Sequence, residues 1–294
     1  MRMPDFLVIG AKKAGSTWLD QVLRSHPDVA LPARRKEVAY FDLFYDRGPE
    51  WYAHFFADLP PRAVVGESTP EYMHHALAPE RIERDLPSTR LVVILRSPLD
   101  RAYSEWGHQV MRFAEQRTFE QYAREVPALL AKSRYAQQLR RFPRALASGR
   151  LHVVVLEEAL RNPAPTLAGL AQYLGVEPAG FRAEPEARQN ETYRPRFRRG
   201  FALARQFSDW LRAHELDVVS NLAQRVGVRR LFGDKGRFPP MSEPQRAAFA
   251  DFQRQACAET EELLQRAIPA WHVGSSAAAA SSAAAASSAP QAAL

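Results

Sequence analysis

A chain of 294 residues that is 46% hydrophobic and 25% charged has the size and apolar content of an ordinary globular protein, and one large domain is favoured over two small ones. Its 40 Lys and Arg against 33 Asp and Glu leave a net charge of +7, which points to an anionic partner without choosing among nucleotide, acidic glycan, nucleic acid and membrane surface. The single cysteine, Cys257, excludes an internal disulfide and a cysteine-based metal cluster; with no apolar run of membrane-spanning length and no signal-like stretch before the first strand, a cytoplasmic protein is expected.

Phe6 to Ile9 is a continuous apolar run, the pattern of a parallel strand covered on both faces. It runs into Gly10-Ala-Lys-Lys-Ala-Gly-Ser-Thr17, after which Trp18, Leu19, Val22 and Leu23 recur at helical spacing as far as Ser25-His26-Pro27. A helix N-terminus presents unpaired backbone N–H groups and partial positive charge. With the ammonium groups of Lys12 and Lys13 and the hydroxyls of Ser16 and Thr17 beside it, a phosphate is the expected guest.

Val29 to Pro32 leads to the basic loop Arg34-Arg35-Lys36, and Glu37-Val-Ala-Tyr-Phe-Asp42 follows directly. Trp51 to Phe56 reads as a short helix packed by aromatics, and Ala63 to Glu67 as a buried strand ending in the turn Ser68-Thr69-Pro70. Leu91 to Leu95 is the clearest interior strand; it ends on Arg96-Ser97-Pro98, and a helix from about Leu99 to Phe113 begins there. A helical region from Phe119 to Leu146, a strand from Leu151 to Leu156 and a helix from Pro163 to Leu174 complete the regular part.

Repeated strand, turn and helix predict an α/β fold, a P-loop-like three-layer sandwich around a central, mostly parallel sheet, with functional groups at the C-terminal strand ends. Beyond it, Glu184 to Arg199 reads as a long Arg-rich surface loop able to order over a ligand, and Phe201 to Val226 as helical. Gly233 to Pro240 reads as a loop, and Ser242-Glu-Pro244 caps a last helix running to about Ile268. A single domain over residues 1–274 is expected, with residues 275–294 an Ala/Ser-rich tail that has no apolar stripe to bury and is expected to be disordered.

The opening turn departs from the nucleoside-triphosphate P-loop at an informative place. Gly10 and Gly15 have the right spacing, but Ser16 stands where the lysine belongs. The strand Leu91 to Leu95 ends on Arg96 rather than on an acid that could hold Mg²⁺, and a guanidinium there binds phosphate directly, without a metal.

These residues resemble the sulfotransferases that use 3′-phosphoadenosine 5′-phosphosulfate (PAPS), with the heparan sulfate N- and 3-O-sulfotransferase type as the nearest pattern. Lys12-Lys-Ala-Gly-Ser-Thr-Trp-Leu19 is similar to the family's 5′-phosphosulfate loop, and Arg96-Ser-Pro-Leu-Asp-Arg-Ala-Tyr-Ser104 to its 3′-phosphate motif. Further similar stretches are Glu37 to Asp42, Glu50 to Phe56, Gly66 to Tyr72, Asp100 to Gln109 and Lys235-Gly-Arg237. The resemblance implies a PAPS site built from Lys12, Lys13, Ala14, Gly15, Ser16, Thr17, Trp18, Arg96, Ser104, Lys235, Gly236 and Arg237, with no metal. It also implies catalytic roles: Lys13 at the bridging oxygen and leaving phosphate, Glu37 as general base, His108 near the acceptor, and Lys235 assisting at the sulfuryl group.

Glu37 is a weak base in water and has to rely on burial or on alignment with the acceptor proton. The heparan 3-O-sulfating enzymes carry a His two residues after the base, where this chain has Ala39, so their acceptor pocket is not expected. The implied acceptor is a hydroxyl or amine of a carbohydrate, glycolipid or small molecule, with no nucleic-acid partner. Two other readings stay open: a kinase or nucleotidase using ATP and Mg²⁺, and a non-catalytic binder of anionic glycans or nucleic acid through Arg194, Arg196, Arg198 and Arg199.

Overall fold

A computed structural model describes residues 1–113, 115–182, 192–195, 233–236 and 238–272. Five strands, β1 (Phe6–Gly10), β2 (Val29–Ala30), β3 (Val64–Ser68), β4 (Arg90–Leu95) and β5 (Leu151–Val155), form one sheet in the order β2-β3-β1-β4-β5. All four pairings in it are parallel, as the continuous apolar runs predict.

Side-chain alternation along the central strands sets the layers. Phe6 and Val8 of β1 join Val92 and Ile94 of β4 on one face, covered by Trp18, Leu19, Val22 and Leu23 of α1 (Ser16–Ser25) and by Leu167, Leu170 and Leu174 of a later helix. Leu7 and Ile9 join Leu91, Val93 and Leu95 on the other face, against Tyr52, Phe56, Tyr135, Phe142, Cys257 and Trp271. The expected three-layer sandwich follows from that period of two.

The helices are more divided than the sequence pattern predicts. The short helix α2 spans Gly48–His54 with Pro49 in its first turn, and α3 (Ala78–Asp85) has no counterpart among the expected elements. After α4 (Pro98–Phe113), the single helical region expected over Phe119 to Leu146 is four short helices, α5 (Phe119–Glu125), α6 (Ala128–Ala131), α7 (Tyr135–Leu139) and α8 (Pro143–Ala147). Pro127 and Pro143 each lack an N–H and crowd the preceding turn, so a continuous helix cannot pass them. Leu156 opens the helix α9 (Leu156–Arg161) instead of ending β5, and α10 (Pro163–Leu174) stops at the left-handed Gly175 as expected.

Ser242 does cap a helix, through a reciprocal box with Gln245, but the last helix is two. These are α11 (Glu243–Ala248) and α12 (Ala250–Leu264), separated where Phe249 leaves helical geometry with its ring against Phe119. Gln265, in left-handed geometry, ends α12 short of Ile268.

Two segments expected to be loops contain strands. Thr192–Pro195 is β6 and Gly233–Gly236 is β7, paired antiparallel with Tyr193 opposite Lys235. Their backbone ladder joins stretches far apart in sequence, which no local pattern reports. The remainder of the Arg-rich stretch, the helix expected over Phe201 to Val226, Arg237 and the Ala/Ser-rich tail lie outside the described residues.

Candidate active site

The parallel order places β1 between β3 and β4, so the turns that leave these three strands meet along one C-terminal edge. The first is the turn from β1 to α1. Ala11 anchors it by donating its N–H to the Ile94 carbonyl of β4 at 2.8 Å, and Leu19 closes the first helical turn onto Gly15 O at 3.1 Å. Lys13 and Gly15 both take left-handed backbone, φ +66° and +98°. A side chain on Gly15 would also collide with Leu156, whose Cδ1 lies 2.7 Å from where the Cβ would stand. No side chain caps α1 and no acid stands in its first turn, so its leading N–H groups and positive dipole end are available to an anion. Ala14 and Trp18 are buried and hold the turn by packing; Ser16 is half-buried and Thr17 exposed.

The second turn, Arg96-Ser97-Pro98, leaves β4 beside it. Three groups fix it that the sequence pattern does not single out. Tyr135 donates its hydroxyl to Arg96 O at 2.8 Å, Glu157 accepts the Ser97 N–H at 2.8 Å, and Gln253 of α12 accepts the Leu99 N–H at 2.9 Å while donating to Ser97 Oγ at 3.1 Å. Ser104 and His108 follow one helical turn apart on α4, both half-buried, and the His108 ring stands edge-on to Phe113. Arg101, in the same motif, is fully buried and belongs to the scaffold: it donates to Ser133, Glu105 and the Leu129 carbonyl.

The end of β3 and the third turn, which follows it, supply two carboxylates without an expected role. Glu71 pairs with Lys12 at 2.6 Å and lies 4.0 Å from Lys132, which is 3.6 Å from Glu105. Glu67 is fully buried, with the hydroxyls of Tyr52, Tyr72 and Thr69 donating to it; burial pushes its carboxyl up to about 7 against those hydrogen bonds.

Glu37 sits in the loop that crosses this edge. Lys36, beside it, donates to Thr17 Oγ1 at 3.1 Å, which ties the loop to the start of α1. Glu37 is exposed, so burial does not raise the basicity of its carboxylate. Lys235 and Gly236 lie on β7, and its partner β6 lies against α4. Phe238, directly after this segment, packs on Tyr103 and Trp106 of α4, holding the segment's end beside the helix that carries Ser104.

The sulfotransferase domain family profile matches residues 3–194. The chain belongs to the sulfotransferase domain family. Heparan sulfate glucosamine 3-O-sulfotransferase 6 of Mus musculus is 39% identical over 115 residues, 38% of this chain and 32% of that protein. Bifunctional heparan sulfate N-deacetylase/N-sulfotransferase 2 of Bos taurus is 27% identical over 299 residues, 92% of this chain and 31% of that protein. Membrane-associated sulfotransferase kil1 of Dictyostelium discoideum is 37% identical over 111 residues, 37% of this chain and 23% of that protein. The chain thus spans about a quarter to a third of the length of these curated relatives. The crystal structure of a sulfotransferase from Alicyclobacillus acidocaldarius shares the fold, with a TM-score of 0.63 over 92% of this chain and all of that one at 21% identity. Within this sulfotransferase-family fold, no helix among the described residues is long and apolar enough to cross a membrane.

Proposed function

We propose that this chain is a PAPS-dependent sulfotransferase that moves a sulfuryl group to a hydroxyl or amine of a carbohydrate or small-molecule acceptor. The observation that supports the reading is the juxtaposition, after adjacent strands, of an uncapped helix N-terminus and a guanidinium: α1 follows β1, and Arg96 follows β4. A donor phosphorylated at two positions fits such a pair, and the donor set is cationic and hydroxylic throughout, which suits phosphate without a bridging metal.

PAPS, when bound, supplies the sulfuryl group and a phosphate leaving group. Everything else falls to this chain's residues. Lys12, Lys13, Ser16 and Thr17 with the first N–H groups of α1 hold the 5′ end, and Arg96 and Ser104 hold the 3′-phosphate. Lys13 neutralises charge on the departing phosphate oxygen. Glu37 takes the proton from the acceptor oxygen or nitrogen as that atom bonds to sulfur, His108 orients the acceptor, and Lys235 with Gly236 and Arg237 closes over the donor. The names of the relatives support a glycan acceptor, because both heparan sulfate proteins act on a carbohydrate.

Isothermal titration with adenosine 3′,5′-bisphosphate, PAPS and ATP with Mg²⁺ tests the reading. Tight binding of the bisphosphate in the presence of a chelator is expected, and preference for ATP with Mg²⁺ sinks it. Lys13→Ala and Glu37→Gln are each expected to lower turnover at least about a hundredfold, the magnitude of a lost general base or oxyanion donor, with Glu37→Gln leaving bisphosphate affinity nearly intact.

A further inference from the structure

We infer that Glu67, buried at the end of β3, is the positioning residue of the loop that carries Glu37, acting through Tyr72 and Thr69. The inference rests on the reading of Glu37 as the base. Two backbone amides just past Glu37 end on side chains from the β3 turn: Tyr40 donates its N–H to Tyr72 Oη at 2.8 Å, and Ala39 donates to Thr69 Oγ1 at 3.2 Å. Each hydroxyl has one proton, and with a lone pair committed to the amide, that proton needs an acceptor elsewhere. Glu67 is that acceptor for both: Tyr72 Oη lies 2.6 Å from Oε1 and Thr69 Oγ1 3.1 Å from Oε2, while Tyr52 adds a third donor at 3.0 Å. One carboxylate therefore sets the direction of two hydroxyls, and the two hydroxyls set the position of the loop.

The held segment is one that needs holding. Ala39 takes left-handed backbone with φ +59°, a conformation that costs a residue with a Cβ about 1 to 2 kcal/mol. Its carbonyl accepts the N–H groups of Leu43 at 3.1 Å and Phe44 at 3.0 Å, so the strained residue is fixed on both its polar groups. On the other side of Glu37, buried Arg35 lies over the Phe44 ring at 4.9 Å. Glu37 thus projects from a short span pinned at both ends, the arrangement that turns an exposed carboxylate into an aligned one.

Tyr72→Phe and Thr69→Val each remove one link, and Glu67→Gln replaces one acceptor oxygen with a donor that forces a hydroxyl to turn. Amide hydrogen exchange read residue by residue by NMR is the deciding measurement. Tyr72→Phe is expected to speed exchange at Tyr40, and Thr69→Val at Ala39, by about tenfold, the worth of one backbone hydrogen bond, with β1 and β4 unchanged. Thr69→Ser, which keeps the hydroxyl, restores the wild-type rate. In parallel, bisphosphate release from PAPS with chemically de-N-sulfated heparin as acceptor is expected to show kcat falling in Tyr72→Phe and Thr69→Val while KM for PAPS holds. Unchanged exchange at Ala39 and Tyr40 overturns the inference, and so does a uniform rise across the sheet, which marks a purely structural role. Full turnover by Glu37→Gln with the exchange changes intact overturns the base reading alone.

Discussion

At the scale of single residues, the groups proposed to bind anions stand in local motifs, whereas the carboxylate inferred to organise the Glu37 loop does not. Lys13, Ser16 and Arg96 announce themselves because their chemistry and their place in strand, turn and helix sit within one short window. Glu67 needs Tyr52, Thr69, Tyr72 and the amides of Ala39 and Tyr40 brought to it from three stretches of chain, and nothing local marks that. It leaves a signature in solution. Burial raises its carboxyl to about 7, outweighing the three hydroxyl donors. Between the ordinary carboxylate range and that value, the folded state holds a proton that the unfolded chain gives up. The stabilisation is therefore present in full at low pH and is lost as pH rises through 7, by up to about 3 kcal/mol for a shift of this size. Urea denaturation of wild type and Glu67→Gln at several pH values from 5 to 8 checks this, because the variant has no proton to exchange. Wild type should lose stability relative to the variant as pH rises, and parallel curves would rule the shift out. The ionised form best satisfies three hydroxyl donors, so the pH range that holds the Glu37 loop most firmly is also the range in which Glu67 costs the fold stability.

At the scale of elements, strands with continuous apolar runs were readable to within a residue, while helices whose ends depend on tertiary partners were not. Pro127 and Pro143 were visible in the sequence, yet the region was expected to be helical throughout, and a new short helix begins just after Pro127 and at Pro143. The pairing of β6 with β7 was invisible for a different reason, since a ladder between distant segments has no local period. Its anchor on α4 gives a prediction that belongs to this scale. Gly107 leaves room for Phe238: a Cβ there would lie 2.7 Å from the Phe238 ring, and Phe238 directly follows the segment proposed to close over the donor. Gly107→Ala favours the helix by up to about 1 kcal/mol through propensity while displacing that ring. Thermal stability should hardly change, whereas bisphosphate affinity by titration calorimetry should fall by about three- to tenfold, the cost of a loop that no longer docks. Affinity equal to wild type would detach β7 from donor binding.

At the scale of the whole molecule, the sheet order brings motifs that are separate in sequence to one edge, where the proposed function has them serve one ligand. With β1 flanked by β3 and β4, the Lys12–Glu71 ion pair links the β1 and β3 turns, and the Ala11 bond to Ile94 links the β1 turn to β4. Gln253 then ties the β4 turn to α12 near the end of the described chain. A ligand that spans the β1 and β4 turns and binds the folded state alone must stabilise that state by mass action. At a hundred times its dissociation constant, adenosine 3′,5′-bisphosphate should add about 2.7 kcal/mol to unfolding. Arg96→Ala separates this from nonspecific anion binding by a chain with a net charge of +7. Losing the 3′ contact should abolish most of the bisphosphate's advantage over adenosine 5′-monophosphate, while inorganic sulfate at matched ionic strength shifts both proteins equally. Urea midpoints for wild type and Arg96→Ala with each ligand measure the difference, and an undiminished bisphosphate shift in Arg96→Ala would remove the second anion site from the binding model.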